Sequence, residues 1–251
     1  MELYGLLGYP LGHSFSAKYF ADKFEREHIK AIYQNFEYPT VEEAMQYLLC
    51  QTNLKGFNVT IPYKQAVMPY LERLTPEAQE IGAVNVVRVE DAPNLPSGKR
   101  LIGYNSDVVG FSDSICPLLR KDVHKKALVL GTGGASKAVV YGLKQMGITP
   151  TYVSRRPSEG QLSYADLSAE VMAEYKVVVN CSPVGMYPKV DACPNIPYEY
   201  LTPDHLLYDL VYNPLETLFM KRGLEQGAVV KNGLEMLHLQ ADAAWKMWHE
   251  K

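Results

Sequence analysis

The chain has 251 residues, with 25 Lys and Arg against 28 Asp and Glu, a formal charge of −3. That near-neutral balance excludes a nucleic-acid binder driven by bulk charge, and no apolar run is long enough to span a membrane. Domains run roughly 100–200 residues, so one large domain or two small ones fit this length. The opening MELYGLLGYPLGH carries an acid at Glu2 and no basic segment, so no secretory leader is expected. Four scattered cysteines, Cys50, Cys116, Cys181 and Cys193, include no CxxC. They predict buried or incidental thiols in a reducing compartment, the cytoplasm, rather than a disulfide frame or a metal site.

Taken in chain order, strands and helices alternate. Leu3 to Gly8 predicts a strand closed by a Gly-Tyr-Pro turn, and Phe15, Tyr19, Phe20 and Phe24 recur at helical spacing. Ile32 to Tyr38 reads as a strand. Thr40 with Glu43 forms a capping box for a helix through Cys50. A strand over Phe57 to Ile61 is stopped by Pro62, and Thr75-Pro76 opens a helix. Ala83 to Glu90 and Arg100 to Tyr104 predict a hairpin. Ala127 to Gly131, Thr151 to Ser154, Lys176 to Asn180 and Leu206 to Val211 predict further strands. Helices are expected from the glycine turn to Met146, over Pro214 to Gln226, and over Leu234 to Trp248. In the last, Leu234, Leu237, Ala241, Ala244, Trp245 and Trp248 share one face. The series implies an α/β class with parallel sheets. A boundary near residues 105–125 gives two domains; one continuous domain is the alternative.

Gly131-Thr-Gly133-Gly134-Ala135-Ser136 lies between a strand and a helix, the context of a dinucleotide-binding turn. Gly131 suits the tight turn, Gly133 lets backbone approach a pyrophosphate, and the helix N-terminus offers free N–H groups. Ser136 stands where the pattern has Gly or Ala. An ordinary glycine-rich turn is the rival reading. At the end of the next strand, where a carboxylate would bind a ribose hydroxyl, the chain has Ser154-Arg155-Arg156. Guanidinium groups pair with phosphate, which favours NADP over NAD, although adjacent arginines are also common as solvated loop charges.

Three polar clusters suit a small polar substrate. Ser14 and Ser16 flank Phe15 at a helix start, a cradle for a carboxylate or simply an N-cap. Asn58 and Thr60 share a strand face, with Lys64 just beyond Pro62. Asn85 lies near the start of the strand expected over Ala83 to Glu90, and Asn105-Ser106-Asp107 follows the next, where Asp107 by itself reads as an N-cap.

Together these segments resemble the shikimate dehydrogenase family over nearly the full chain, in order. The family's G-x-P-x-x-H-S-x-S is Gly8 to Ser16, N-V-T-x-P-x-K is Asn58 to Lys64, and G-A-V-N is Gly82 to Asn85. N-T-D is Asn105-Ser106-Asp107, with Ser for Thr, and G-x-G-G-A is Gly131 to Ala135. N-x-[ST]-P-x-G-M is Asn180 to Met186, D-x-x-Y-x-P is Asp209 to Pro214, and G-x-x-M-L-x-x-Q-A is Gly233 to Ala241. Two departures stand out: Ser154-Arg155-Arg156 for the usual Asn-Arg-Thr, and Lys18-Tyr19-Phe20 where His-Asn often follows the serines.

The resemblance implies an N-terminal α/β substrate domain, residues 1–106 with 234–251, and a Rossmann-type NADP domain, residues 107–233, with the active site in the cleft between. It implies that Ser14 and Ser16 hold the substrate carboxylate. Asn58, Thr60, Asn85, Asp107, Tyr212 and Gln240 surround its hydroxyls, and Lys64 and Asp107 are the catalytic pair. Gly131, Gly133, Gly134, Ala135, Ser154, Arg155, Arg156, Ser182, Met186, Val211 and Gly233 line the NADP site. The implied reaction is hydride exchange between shikimate and 3-dehydroshikimate in aromatic amino-acid biosynthesis, by a cytoplasmic monomer or homodimer with no nucleic-acid or membrane partner. A quinate/shikimate dehydrogenase and a non-catalytic NADP-sensing module are the alternatives.

Overall fold

The structure, a computed structural model, describes residues 1–12 and 15–250. Ser14 lies outside the described residues. The chain divides into two compact units, Met1–Ser106 with Ala241–Lys251, and Asp107–Gln240.

The first unit contains β1 (Glu2–Gly8), α1 (Phe15–Arg26), β2 (Ala31–Glu37), α2 (Val41–Cys50), β3 (Leu54–Val59), β4 (Arg73–Leu74), α3 (Pro76–Ile81), β5 (Val86–Asp91) and β6 (Lys99–Tyr104). Six strands form one sheet in the order β2-β1-β3-β5-β6-β4. β1 is parallel to β2 and β3, while β5 runs antiparallel to β3 and β6. Alternation divides the strand residues between two faces. Leu3, Leu7, Phe57, Val59, Val87, Val89 and Leu101 pack with Val41, Ala44, Met45 and Leu48 of α2. Tyr4, Val86, Ile102 and Tyr104 pack with Phe20 and Phe24 of α1 and with Ala241, Ala244 and Trp248. Thr40 and Thr75 cap α2 and α3, their hydroxyls accepting the Glu43 and Ala78 N–H groups at 3.2 Å each. β3 ends at Val59, not at the expected Ile61. Residues 61–67 turn instead, with Tyr63 and Val67 buried in the core. β5 likewise starts at Val86, not at Ala83.

The second unit contains α4 (Asp107–Ile115), β7 (Lys126–Leu130), α5 (Gly134–Gln145), β8 (Thr149–Val153), α6 (Ala169–Glu174), β9 (Val177–Asn180), β10 (Leu206–Asp209), α7 (Leu218–Glu225), β11 (Val229–Lys231) and the start of α8 (Leu234–His249). Its five strands, in the order β11-β10-β9-β7-β8, are all parallel. Every residue of β9 and β10 is buried, as expected of parallel strands covered on both faces. One face carries Phe111, Ile115, Val139, Leu143 and Met236; the other carries Met172, Phe219 and Met220. The mixed α/β class is therefore that of the sequence reading.

Several local expectations need correction. Asp107 is the first residue of α4 rather than its N-cap. α7 begins at Leu218, not at Pro214, because the Thr217 hydroxyl accepts the Met220 N–H at 3.4 Å and caps it there. The single apolar face expected of the last helix breaks up. Ala241, Ala244 and Trp248 are buried in the first unit, whereas Met236 is buried in the second and Leu234 and Leu237 stay partly exposed. A helix serving two cores need not keep one stripe along its length. Cys50 and Cys116 are exposed, Cys181 and Cys193 are intermediate, and all four are free thiols. Among the described residues no helix is long and apolar enough to cross a membrane.

Gly56 of β3 lies beneath Trp248. A Cβ there would stand 2.3 Å from the indole Cδ1, and the indole N–H donates to Val87 O at 3.1 Å, which holds the ring in place. Gly56→Ala is expected to cost about 1–3 kcal/mol, the range for overpacked cores, read as a lower urea midpoint by tryptophan fluorescence. An unchanged midpoint would mean that the ring is free to move.

Candidate functional site

In the first unit the candidate substrate residues gather at one end of the sheet. β1, β3 and β6 end there and β5 starts there, a consequence of the strand directions. Asn58 points to the face lined by α1. Its Oδ1 accepts the Tyr33 hydroxyl at 2.9 Å and its Nδ2 donates to Asn85 O at 3.3 Å. Thr60 is just past β3, with its N–H donating to Leu7 O at 2.8 Å. Its methyl lies over Gly8, where a Cβ would come within 2.5 Å of it. Lys64 follows on the turn pinned by Tyr63, and its carbonyl accepts the Val84 N–H at 2.8 Å. Ser16 is the second residue of α1, close to the positive end of the helix dipole.

Asn85 is 4% exposed and serves the scaffold directly. Its Oδ1 accepts the Ser106 N–H at 2.7 Å, and its Nδ2 donates to Ser106 Oγ at 3.0 Å. Asn105 Nδ2 in turn donates to Ala83 O at 2.9 Å. These bonds lock the end of β6, immediately before Asp107.

In the second unit the candidate cofactor residues lie at the carboxyl ends of the parallel strands, where ligands of such sheets bind. After β7, Gly131 has φ +104°, a conformation that side chains disfavour. Gly133 is the N-cap of α5, with no side chain capping the helix. A Cβ on Gly133 would meet nothing within 4 Å. The helix start, Gly133, Gly134 and Ala135, is therefore open to an anion. Ser136 fits the third position of the pattern because it is buried, and its hydroxyl donates to Gly133 O at 2.7 Å. After β8, Ser154 Oγ accepts the Arg156 N–H at 3.2 Å, and both Arg155 and Arg156 are exposed.

After β9, Asn180 Oδ1 accepts the Ser182 N–H and hydroxyl at 3.1 and 2.6 Å. Met186 is exposed, four residues further on. After β10, Val211 is buried and Tyr212 exposed. Gly233 donates its N–H to Val211 O at 3.2 Å, and a Cβ there would stand 2.2 Å from Leu210 O. Gln240 packs on Gly110 of α4, whose own Cβ would come within 3.1 Å of it. Among the described residues no group of three or more His, Cys, Asp or Glu side chains is placed to hold a metal ion.

Sequence reasoning placed Asp209 in a motif but gave no role to this residue, which ties the last two loops together. Asp209 is fully buried at the end of β10. It accepts from Asn180 Nδ2 at 2.9 Å, the Val211 N–H at 3.0 Å and the Thr217 hydroxyl at 2.6 Å. The available signal was a polar residue ending each of two apolar strands, Asn180 and Asp209. Burial raises the Asp209 carboxyl to about 6, against the opposing pull of its three donors. In an unfolded chain an aspartate titrates near ~3.9. Between about pH 4 and 6 the folded protein therefore holds a proton that the unfolded chain has released. The stability contributed by this group declines as pH rises through that window and is level above it. Urea unfolding of wild type and Asp209→Asn is expected to give a difference in stability that falls from about pH 4 to 6 and then flattens. A difference that rises over the window contradicts this.

Residues 6–87 match the family model described as the shikimate dehydrogenase substrate binding domain. A shikimate dehydrogenase (NADP+) of Clostridium beijerinckii is 38% identical, covering 100% of this chain and 93% of the relative. The crystal structure of shikimate dehydrogenase from Aquifex aeolicus superposes with a TM-score of 0.86 at 31% identity, covering 100% of this chain and 93% of the other. A Thermus thermophilus shikimate 5-dehydrogenase, solved in complex with NADP(H) and shikimate, gives 0.82 at 31% identity, over 99% and 93%. The ordered polar residues at the strand ends and the likeness over the whole length lead to one conclusion: the chain belongs to the shikimate dehydrogenase family.

Proposed function

We propose that this protein is an NADP-dependent shikimate dehydrogenase, interconverting shikimate and 3-dehydroshikimate. The observation that carries the reading is full-length similarity to a shikimate dehydrogenase (NADP+), in a chain that keeps both polar sets at its strand ends. We assign substrate binding to the first unit and NADP binding to the second. Four free cysteines suit a reducing compartment, and we place the enzyme in the cytoplasm.

The second unit suits NADP. Its α5 N-terminus is uncapped and sterically open at Gly133, which fits a pyrophosphate. Arg155 and Arg156 offer guanidinium groups for a further phosphate, and the end of β8 brings no carboxylate to repel it. Gly131, Gly134, Ala135 and Ser154 shape these two approaches, while Ser182, Met186, Val211 and Gly233 line the neighbouring loops. The chemistry that NADP+ supplies when bound is acceptance of a hydride from the carbinol carbon.

What remains for the chain is to orient the carbinol and take its proton. Ser14 and Ser16 bind the substrate carboxylate, and at Ser16, the second residue of α1, the helix dipole adds to the hydroxyl. Asn58, Thr60, Asn85, Tyr212 and Gln240 bind ring hydroxyls, and a site built to pair each hydroxyl rejects analogues that lack one. Lys64 carries the proton to and from the reacting oxygen, and Asp107 accepts a substrate hydroxyl with its carboxylate.

Purified protein is expected to form NADPH, followed by its absorbance, from NADP+ and shikimate, faster than with NAD+ or with quinate. Lys64→Ala is expected to lower kcat by about 10²–10⁴-fold, the contribution of a positioned acid/base. Loss of less than about tenfold overturns the role of Lys64, and no NADPH from the wild type overturns the activity itself.

A further inference from the structure

Tyr33 has no part in the roles described above. It sits on β2, the edge strand, and β1 separates it from β3. The register pairs Tyr33 with Tyr4, and Leu6 with Asn58. The phenol therefore crosses β1 diagonally to donate to Asn58 Oδ1 at 2.9 Å. Phe20 stacks on the ring at a centroid distance of 4.7 Å and an angle of 13°, and Trp248 flanks it at 6.4 Å. The hydroxyl is thus fixed by its ring and not by its length alone.

We infer that Tyr33 is a positioning residue for substrate recognition, setting the amide orientation of Asn58 and thereby the hydrogen-bond pattern offered to one substrate hydroxyl. This rests on the proposed substrate role of Asn58. A side-chain amide can present either end to a ligand, and the network around it decides which. Here the donor is the phenol, so the carbonyl oxygen of Asn58 turns to Tyr33. The amide nitrogen turns to Asn85 O and keeps a second N–H for the substrate. Burial pushes the Tyr33 hydroxyl well above its ordinary range, with the Ser16 hydroxyl countering part of that rise, so the phenol stays protonated and stays a donor. Without the phenol proton, only the 3.3 Å bond to Asn85 O still holds the amide orientation.

The test compares three replacements at one position in the intact enzyme. Tyr33→Phe and replacement of Tyr33 with 4-fluorophenylalanine keep the ring but remove the donor. Replacement with 4-aminophenylalanine keeps an N–H donor at the same place. The two donor-less enzymes are expected to raise KM for shikimate about tenfold, the scale of one lost hydrogen bond with its partner left unpaired, with KM for NADP+ unchanged. The amino variant is expected to return KM for shikimate to within about threefold of wild type.

Wild type is assayed first with shikimate and NADP+. If it is inactive, the proposed function and this inference fall together. If it is active, an unchanged KM in the donor-less enzymes overturns the inference alone. So does an equal loss of binding or folding in all three variants, which would make the residue one of packing only. If only Tyr33→Phe fails to fold, the fluoro and amino variants give the same comparison.

Discussion

A polar side chain at the end of a buried strand must find its partners inside the protein. That constraint governs both units. At the ends of β3 and β6 the partners are Tyr33, Asn85 and Ser106; at the ends of β9 and β10 they are Asn180, Asp209 and Thr217. Each group left unpaired would cost roughly 1–3 kcal/mol, so the loops that carry these residues have little freedom. The apolar packing below supplies the strand positions, and the amide and hydroxyl bonds above convert those positions into side-chain orientations.

The two units solve the problem differently. The first mixes parallel and antiparallel strands, which brings Asn58 and Thr60 from one strand end together with Asn85 from a strand start. The second is wholly parallel. Its loops therefore emerge on one side in sequence, glycine turn, arginine pair, Asn180 loop and Asp209 loop. Where a main-chain approach is needed, glycine provides it. Gly131 gives the left-handed turn and Gly233 the contact with Leu210.

Much of this was legible in the sequence because it follows from local rules. The capping threonines Thr40 and Thr75 mark real helix starts, and the glycine turn sits between the strand and helix that give it meaning. The ordered motifs place the family. What escaped depends on tertiary partners. Nothing local to Tyr33 says that its hydroxyl crosses a strand to reach Asn58. The motif at Asp209 carries no sign of its structural role, which rests on the Thr217 and Asn180 side chains converging on it. No local pattern shows that the Asn85 amide also bonds Ser106, which follows β6. The strand at Phe57 ends early because Tyr63 and Val67 turn into the core, a preference of the packed unit rather than of the segment.

The side chains of the first unit proposed to bind substrate are oriented by the scaffold before substrate arrives. High-resolution crystal structures of the protein with and without shikimate test it most directly. Asn58, Thr60 and Asn85 are expected to keep their rotamers, with displacements within ~0.5 Å, the tolerance of a preorganised site. The Tyr33–Asn58 and Asn85–Ser106 hydrogen bonds are predicted to be present in both. Broken bonds or reoriented amides in the substrate-free protein would contradict it.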